Sequence, residues 1–148
     1  MWYNKAVTHE GESGVIMTKQ DYGGASLAYL GDAVIELWVR RTLLQMGIVT
    51  PSVCNSEALL FVTARSQSEA LSHIEDMLTD DERDIFRRGR NAHVTTPKSA
   101  SAAEYHRATG LEALMGALYI EGRGERIDEL LLSAYGAVLS EMRERHGI

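Results

Sequence analysis

Two carboxylates stand in stretches that are otherwise apolar, and both sit where a helix interior is expected. Asp32 follows Gly31 inside Leu27-Ala28-Tyr29-Leu30-Gly31-Asp32-Ala33-Val34-Ile35-Glu36-Leu37, where Leu27, Leu30, Val34 and Leu37 recur at helical spacing. Glu112 sits in the uncharged run Leu111-Glu112-Ala113-Leu114-Met115-Gly116-Ala117-Leu118-Tyr119-Ile120. A mid-helix carboxylate among apolar neighbours is expensive to bury unless a cation or several donors meet it. Gly31 costs about 1 kcal/mol relative to alanine inside a helix, which points to a packing or close-approach role. Ala113, Gly116 and Ala117 are small and spaced to let another helix come close. If the two helices pack together, Asp32 and Glu112 meet. Two adjacent carboxylates repel, which raises one pKa or recruits a divalent cation. An all-oxygen site with few ligands suits Mg2+, with Mn2+ as a substitute, because both keep several waters and favour phosphate chemistry. The alternative is that each acid pairs with an arginine or caps a backbone group. Glu36, four residues after Asp32 and four before Arg40, either pairs with Arg40 along the helix or supports a metal site from behind.

The dense positive cluster is Arg87-Arg88-Gly89-Arg90-Asn91, with Lys98 in the adjoining segment. From Arg83 to Lys98 there are five positive residues against the single acid Asp84, and His93, Asn91, Thr95 and Thr96 add hydrogen-bonding groups. In a chain of net charge -6, bulk charge alone does not hold nucleic acid, so such a segment is a candidate phosphate-contacting surface. The competing reading is a solvated helix end whose arginines answer the C-terminal dipole. Tyr105-His106-Arg107 would extend this surface toward a metal, although His106 also fits a structural or surface role. Arg65 and Gln67 are further candidates.

These residues need a scaffold, and the remaining sequence describes one. A length of 148 residues suits one domain with a real core. The hydrophobic fraction of 45% and charged fraction of 24% are those of a soluble globular protein. One cysteine, Cys54, excludes an internal disulfide and a Cys-rich zinc site and fits a reducing compartment. No apolar run is long enough to span a membrane, and residues 1–20 lack a secretory pattern, so a cytoplasmic protein without a membrane partner is expected. Residues 1–20 read as a loosely ordered N-terminal arm, and 21–148 as the single globular domain that carries the candidate site.

The pattern predicts a first helix from about Ser26, as N-cap, to Gln45 or Met46, with Gly47 as its stop. Thr50-Pro51 opens a second that runs to about Arg65. Ser66 then caps a third holding Ala70, Leu71, Ile74 and Leu78. Thr79 and Glu82 form a capping box at the start of a short charged helix ending near Gly89. After a loop over residues 92–101, a fifth helix runs from about Ala102 to Glu121 and is broken by Gly122 and Gly124. A last helix spans about Glu125 to Arg143. No alternating strand pattern is present, so the fold class is an all-α helical bundle.

With these motifs in hand, the chain resembles the ribonuclease III family, and within it the short class called Mini-ribonuclease III. Leu27-Ala28-Tyr29-Leu30-Gly31-Asp32-Ala33 matches that class's Leu-Ala-Tyr-apolar-Gly-Asp-Ala. Thr109-Gly110-Leu111-Glu112-Ala113-Leu114-Met115-Gly116 matches its second motif, and Ala64-Arg65-Ser66-Gln67, Arg88-Gly89-Arg90-Asn91-Ala92 and Thr96-Pro97-Lys98 resemble the segments between. The resemblance covers about Ser26 to Leu131. It implies a homodimeric ribonuclease III-like endonuclease domain that cuts double-stranded RNA with Mg2+, leaving a 5′-phosphate and a 3′-hydroxyl. Asp32 and Glu112 take the metal-binding catalytic positions. By position, Arg88, Arg90, Asn91, Lys98 and Arg107 contact the RNA backbone, with Arg65 and Gln67 beside them, while Gly31 and Glu36 support the site. A-form RNA is read mainly by shape and backbone, so strong sequence selectivity is not expected. The short class implies the precursor of large-subunit (23S) ribosomal RNA as substrate, a step of ribosome biogenesis.

Where the wider family carries glutamates four and seven residues before the motif aspartate, this chain has Ala28 and Ala25; Thr109 replaces an aspartate three residues before Glu112. The short class shares these losses, which leave fewer protein ligands for a metal. No double-stranded-RNA-binding domain is expected after the catalytic one. Two other functions remain open on the residues alone: a non-catalytic helical RNA- or ribosome-binding module, and an all-α metal-dependent nucleotide phosphohydrolase. The latter expects several acids at helical spacing on facing helices, of which Asp32 with Glu36 is a partial case.

Overall fold

The computed structural model describes residues 18–93, 95, 96, 98 and 101–148. Seven α-helices account for most of them, and no strand occurs among the described residues. They are α1 Gly24–Gln45, α2 Pro51–Val62, α3 Ala64–Ser72, α4 Asp80–Arg90, α5 Ala102–Ile120, α6 Gly124–Ala134 and α7 Gly136–His146, with 3-10 turns at Lys19–Asp21 and Glu75–Met77. The expected all-α fold is the one observed. No helix among the described residues is long and apolar enough to cross a membrane.

The bundle is built around α5, which packs mainly on α1 and then on α4 and α3. Every residue from Ala108 to Leu118 is buried except Glu112. A helix apolar on all sides is a core helix, and neighbours surround this one. Behind it, Trp38, Phe61 and Tyr135 form an aromatic cluster with ring centroids 5.0–6.3 Å apart. The Tyr135 hydroxyl donates to the Phe61 carbonyl at 2.8 Å, giving the buried ring's polar end a partner.

Several element boundaries differ from the pattern-based expectation. Gly23, not Ser26, stands at the N-cap of α1. The second helix stops at Val62, because Thr63 leaves the helical region and its hydroxyl accepts from the Ser66 amide at 3.2 Å. Thr63, not Ser66, therefore caps α3. That helix ends at Ser72, and Ile74 and Leu78 are carried by the following turn. The last helix is two, divided at Tyr135. Gly47 and Gly122 end α1 and α5 at positive φ (86° and 69°), as expected of helix-stopping glycines, whereas Gly124 begins α6. The capping box of α4 is present: Thr79 Oγ1 accepts from the Glu82 amide at 3.2 Å, and Glu82 Oε1 accepts from the Thr79 amide at 3.0 Å.

The expected loosely ordered arm over residues 1–20 falls mostly outside the described residues. Its last three, Thr18–Gln20, enter a turn packed on the bundle. Lys19 is buried there between Asp81 and Glu121, at 2.8 Å from the latter. Of the motif Thr96-Pro97-Lys98, Pro97 lies outside the described residues.

Candidate active site

The site begins with a close helix crossing. A Cβ added to Gly31 would overlap the Glu112 carbonyl oxygen, and one added to Gly116 would overlap the carbonyl of Leu27. Both glycines therefore let the backbones of α1 and α5 touch, which is the role their positions suggest in the sequence. Because Asp32 follows Gly31 and Glu112 supplies the carbonyl that Gly31 faces, the crossing brings both acids to one place. Ala28 and Ala113 pack beside it with Leu27, Ile85 and Ala117.

The electrostatics follow from that placement. Burial, and then the Asp32 charge, push the Glu112 carboxyl up to about 8. Asp32 lies on the exposed side of the crossing and is also raised, by partial burial and by Glu36 one turn on. Among the described residues, no hydrogen bond or ion pair relieves either acid. The possibility that each pairs with an arginine or caps a backbone group is not realised. Behind them, burial and the Glu112 charge raise the Tyr135 hydroxyl above its ordinary range. Tyr135 reads in the sequence as one more inward residue of the last helix; its need for a polar partner was the available signal for a special position.

The other candidate residues divide. Glu36 accepts from Arg40 Nη2 at 3.2 Å, the intrahelical pair expected of that spacing, while its charge still acts on Asp32. Arg107 reaches α3 instead of solvent. It donates to Ser68 Oγ at 3.0 Å, Ser72 Oγ at 3.0 Å and Glu75 Oε1 at 2.7 Å. Arg88 donates to the Tyr22 carbonyl, joining the end of α4 to the entry of α1. Gln67 is buried. Arg65 is exposed beside Glu69 at 3.4 Å. Arg90, Asn91 and Lys98 are exposed, and Arg90 and Asn91 line one open cleft with Ala92, His93 and His106. The basic stretch thus separates into arginines that fasten helices together and side chains that face solvent.

Residues 25–123, which hold both carboxylates and the whole crossing, match the ribonuclease III domain. The Mini-ribonuclease 3 of Symbiobacterium thermophilum is 47% identical over 110 residues, 74% of this chain and 85% of that protein. That of a Thermoanaerobacter species is 40% identical over 106 residues, 71% and 75% of the two chains. A solved structure of a Fusobacterium nucleatum protein superposes with a TM-score of 0.68 at 37% identity, over 76% of this chain and 90% of that one.

The chain belongs to the ribonuclease III family, in its Mini-ribonuclease 3 branch. It is an endoribonuclease of double-stranded RNA. Enzymes of the ribonuclease III family depend on a divalent metal, and the donor set at the crossing can be tested against one. Two hard carboxylate oxygens without any protein cation form the charge environment that favours a divalent ion. No group of three or more metal-ligating His, Cys, Asp or Glu residues occurs among the described residues. The residues present therefore fit an ion held by two carboxylates whose remaining positions go to waters and substrate oxygens. At the positions where the wider family is richer in acids, Ala28 is buried against α5 and the Thr109 hydroxyl donates to the Tyr105 carbonyl at 2.9 Å.

Proposed function

We propose that this endoribonuclease acts as a Mg2+-dependent homodimer in the cytoplasm, that Asp32 and Glu112 hold its metal, and that its substrate is a duplex in the precursor of large-subunit ribosomal RNA. The observation that carries this reading is the pair of unmatched carboxylates at the Gly31–Gly116 crossing. Bound Mg2+ supplies charge neutralisation on the scissile phosphate and an acidified water. Glu112, the deeper ligand, is held rigidly by α5, while Asp32 at the exposed side meets the RNA. Arg90, Asn91 and Lys98 take backbone phosphates, with Arg65 further along α3. Arg88, Arg107 and Gln67 act by fixing α3, α4 and α5 against one another. Cleavage in line leaves a 5′-phosphate and a 3′-hydroxyl.

The dimer is supported by an unpartnered apolar face on α1 and α2. The exposed side chains of Leu44, Val49 and Leu59 line a groove of about 330 Å3 between the two helices. Glu36 and Arg40 border the same groove, so a second copy seated on it would lie next to the carboxylates. A duplex presents two strands related by a two-fold axis, which two sites in a symmetric dimer can address. The non-catalytic RNA-binding alternative needs both acids in structural ion pairs, and neither is in one among the described residues.

The test is incubation of the purified protein with a long RNA duplex and with a precursor large-subunit rRNA stem, with and without Mg2+, followed by mapping of the new ends. Cleavage only with Mg2+, leaving 5′-phosphates, is expected on both RNAs. Intact RNA under all conditions, at protein concentrations that bind it, would sink the reading.

A further inference from the structure

The cleft at the C-terminal end of α4 has a composition that the carboxylate site does not explain. Its volume is about 630 Å3, it opens to solvent, and it is lined by Arg90, Asn91, Ala92, His93 and His106. Each polar side chain in that lining can donate a hydrogen bond, and no carboxylate is among the described residues there. Two of the donors are held in place. The Arg90 guanidinium lies 5.7 Å from the centroid of the Phe86 ring, and Arg90 Nε donates to Asn91 Oδ1 at 3.4 Å. That bond occupies the Asn91 carbonyl oxygen and leaves its amide protons for another acceptor.

His106 completes the set from α5. Its ring stands edge-on to Tyr105, with centroids 6.3 Å apart. Its Nδ1 is buried with no partner among the described residues, and no described group bonds Nε2. A buried N–H without an acceptor is rarer in proteins than a buried bare acceptor. A proton on Nδ1 would be enclosed without an acceptor, so Nε2, the nitrogen that is not enclosed, is the one placed to donate into the cleft. The α4 C-terminus adds an opposing negative partial charge, which the Arg90 guanidinium in its last turn outweighs. Converging donors with net positive charge select an anion, and the size and openness suit a phosphate on a polymer that continues out of the cleft.

We infer that this cleft binds one phosphodiester of the RNA substrate, with His106 Nε2 donating beside Arg90 and Asn91. The inference rests on the duplex-RNA reading above and adds His106 to it. The histidine contributes a hydrogen bond through Nε2 and the arginine a fixed charge.

The test uses the full chain with 15N-labelled histidine, in chelator so that RNA binds without being cut. Adding duplex RNA is expected to shift the His106 Nε2 resonance, and millimolar inorganic phosphate is expected to shift it in the same direction. His106→Phe, which keeps a flat ring against Tyr105, should weaken duplex binding about ten- to a hundredfold, the value of one hydrogen bond to a charged group. Arg90→Gln should reduce the slope of log K against log salt by about 0.9. An unmoved His106 resonance in an enzyme that binds and cleaves duplex RNA overturns the cleft assignment alone. A shift with RNA but none with phosphate overturns the phosphate chemistry, and a shift with phosphate but none with RNA overturns the substrate role. If His106→Phe does not fold, the wild-type spectra still decide. Failure of the wild-type enzyme to bind or cut duplex RNA overturns the functional reading with it.

Discussion

Two regions of this molecule treat charge that has lost solvent in opposite ways. Where α4 begins, Glu82 is 2% exposed. It accepts from Arg126 Nε at 3.0 Å and Nη2 at 2.8 Å, and from the Thr79 amide at 3.0 Å. Burial alone would raise its carboxyl, but these donors outweigh burial and hold it below the ordinary range. Lys19 nearby is matched by Asp81 and Glu121, which overcome its own burial to raise its pKa. At the α1–α5 crossing, Asp32 and Glu112 face each other with no such partner, and both are pushed up. A fully matched charge fastens elements, whereas an unmatched pair of like charges stores a preference for something the protein does not itself supply. The first region is scaffold and the second is the candidate site.

This contrast can be broken experimentally, and the largest effect is expected at the crossing. Glu112→Gln or Asp32→Asn, each nearly isosteric, should lower kcat on duplex RNA by at least about 10³-fold, because several kcal/mol of transition-state stabilisation depend on holding the metal. Glu82→Gln leaves Arg126 with only the exposed Glu129 carboxylate and should cost about 2 kcal/mol of stability, read as a lower urea midpoint, with kcat at low temperature preserved. Loss of activity in the folded Glu82 variant would erase the distinction between the regions.

Stability without metal should move the other way at the crossing. In chelator at pH 7, Glu112→Gln removes the need to protonate a buried acid and should stabilise by about 1–2 kcal/mol, discounted for partial exposure. Mg2+ should then raise the Tm of the wild-type chain but not of this variant. A variant less stable than wild type in chelator would contradict the repulsion argument. Acid titration separates the regions again. Because the folded Glu82 pKa lies below the unfolded value of 4.5, its contribution is complete above that value. It is lost as pH falls through the folded pKa, where the unfolded chain binds the extra proton. The acid limb of a stability curve should therefore be shallower in Glu82→Gln. The smallest effect belongs to the exposed Glu36–Arg40 pair: Arg40→Ala should change stability by less than about 0.5 kcal/mol.

Much of this arrangement can be read from the sequence, and the misses have a common cause. Gly31, Gly116 and the two acids carry strong local signals, since a glycine and a lone carboxylate inside an apolar helix each need an external reason. The Thr79–Glu82 capping box and the stop at Gly47 are equally local. The cap at Thr63 is less legible because Ser66, three residues on, is also a good cap and the apolar run continues across the break. The division at Tyr135 is announced only by Gly136 and a tyrosine whose hydroxyl needs a partner. Arg88 and Arg107 show the limit most clearly. Charge counting sees a basic surface, but where a guanidinium goes depends on which carbonyl or carboxylate another helix brings within reach. Tertiary placement assigns those two to the scaffold and leaves Arg90 and Asn91 facing solvent.

The most direct test is a Mg2+ titration of cleavage on one long RNA duplex, run in parallel for the wild-type chain and Glu112→Gln, with each protein's folding verified. Saturable, Mg2+-dependent cleavage by the wild-type chain and none by the variant is the expected result. Wild-type levels of cutting by Glu112→Gln, or cutting by the wild-type chain that persists in chelator, would contradict a metal held between Asp32 and Glu112.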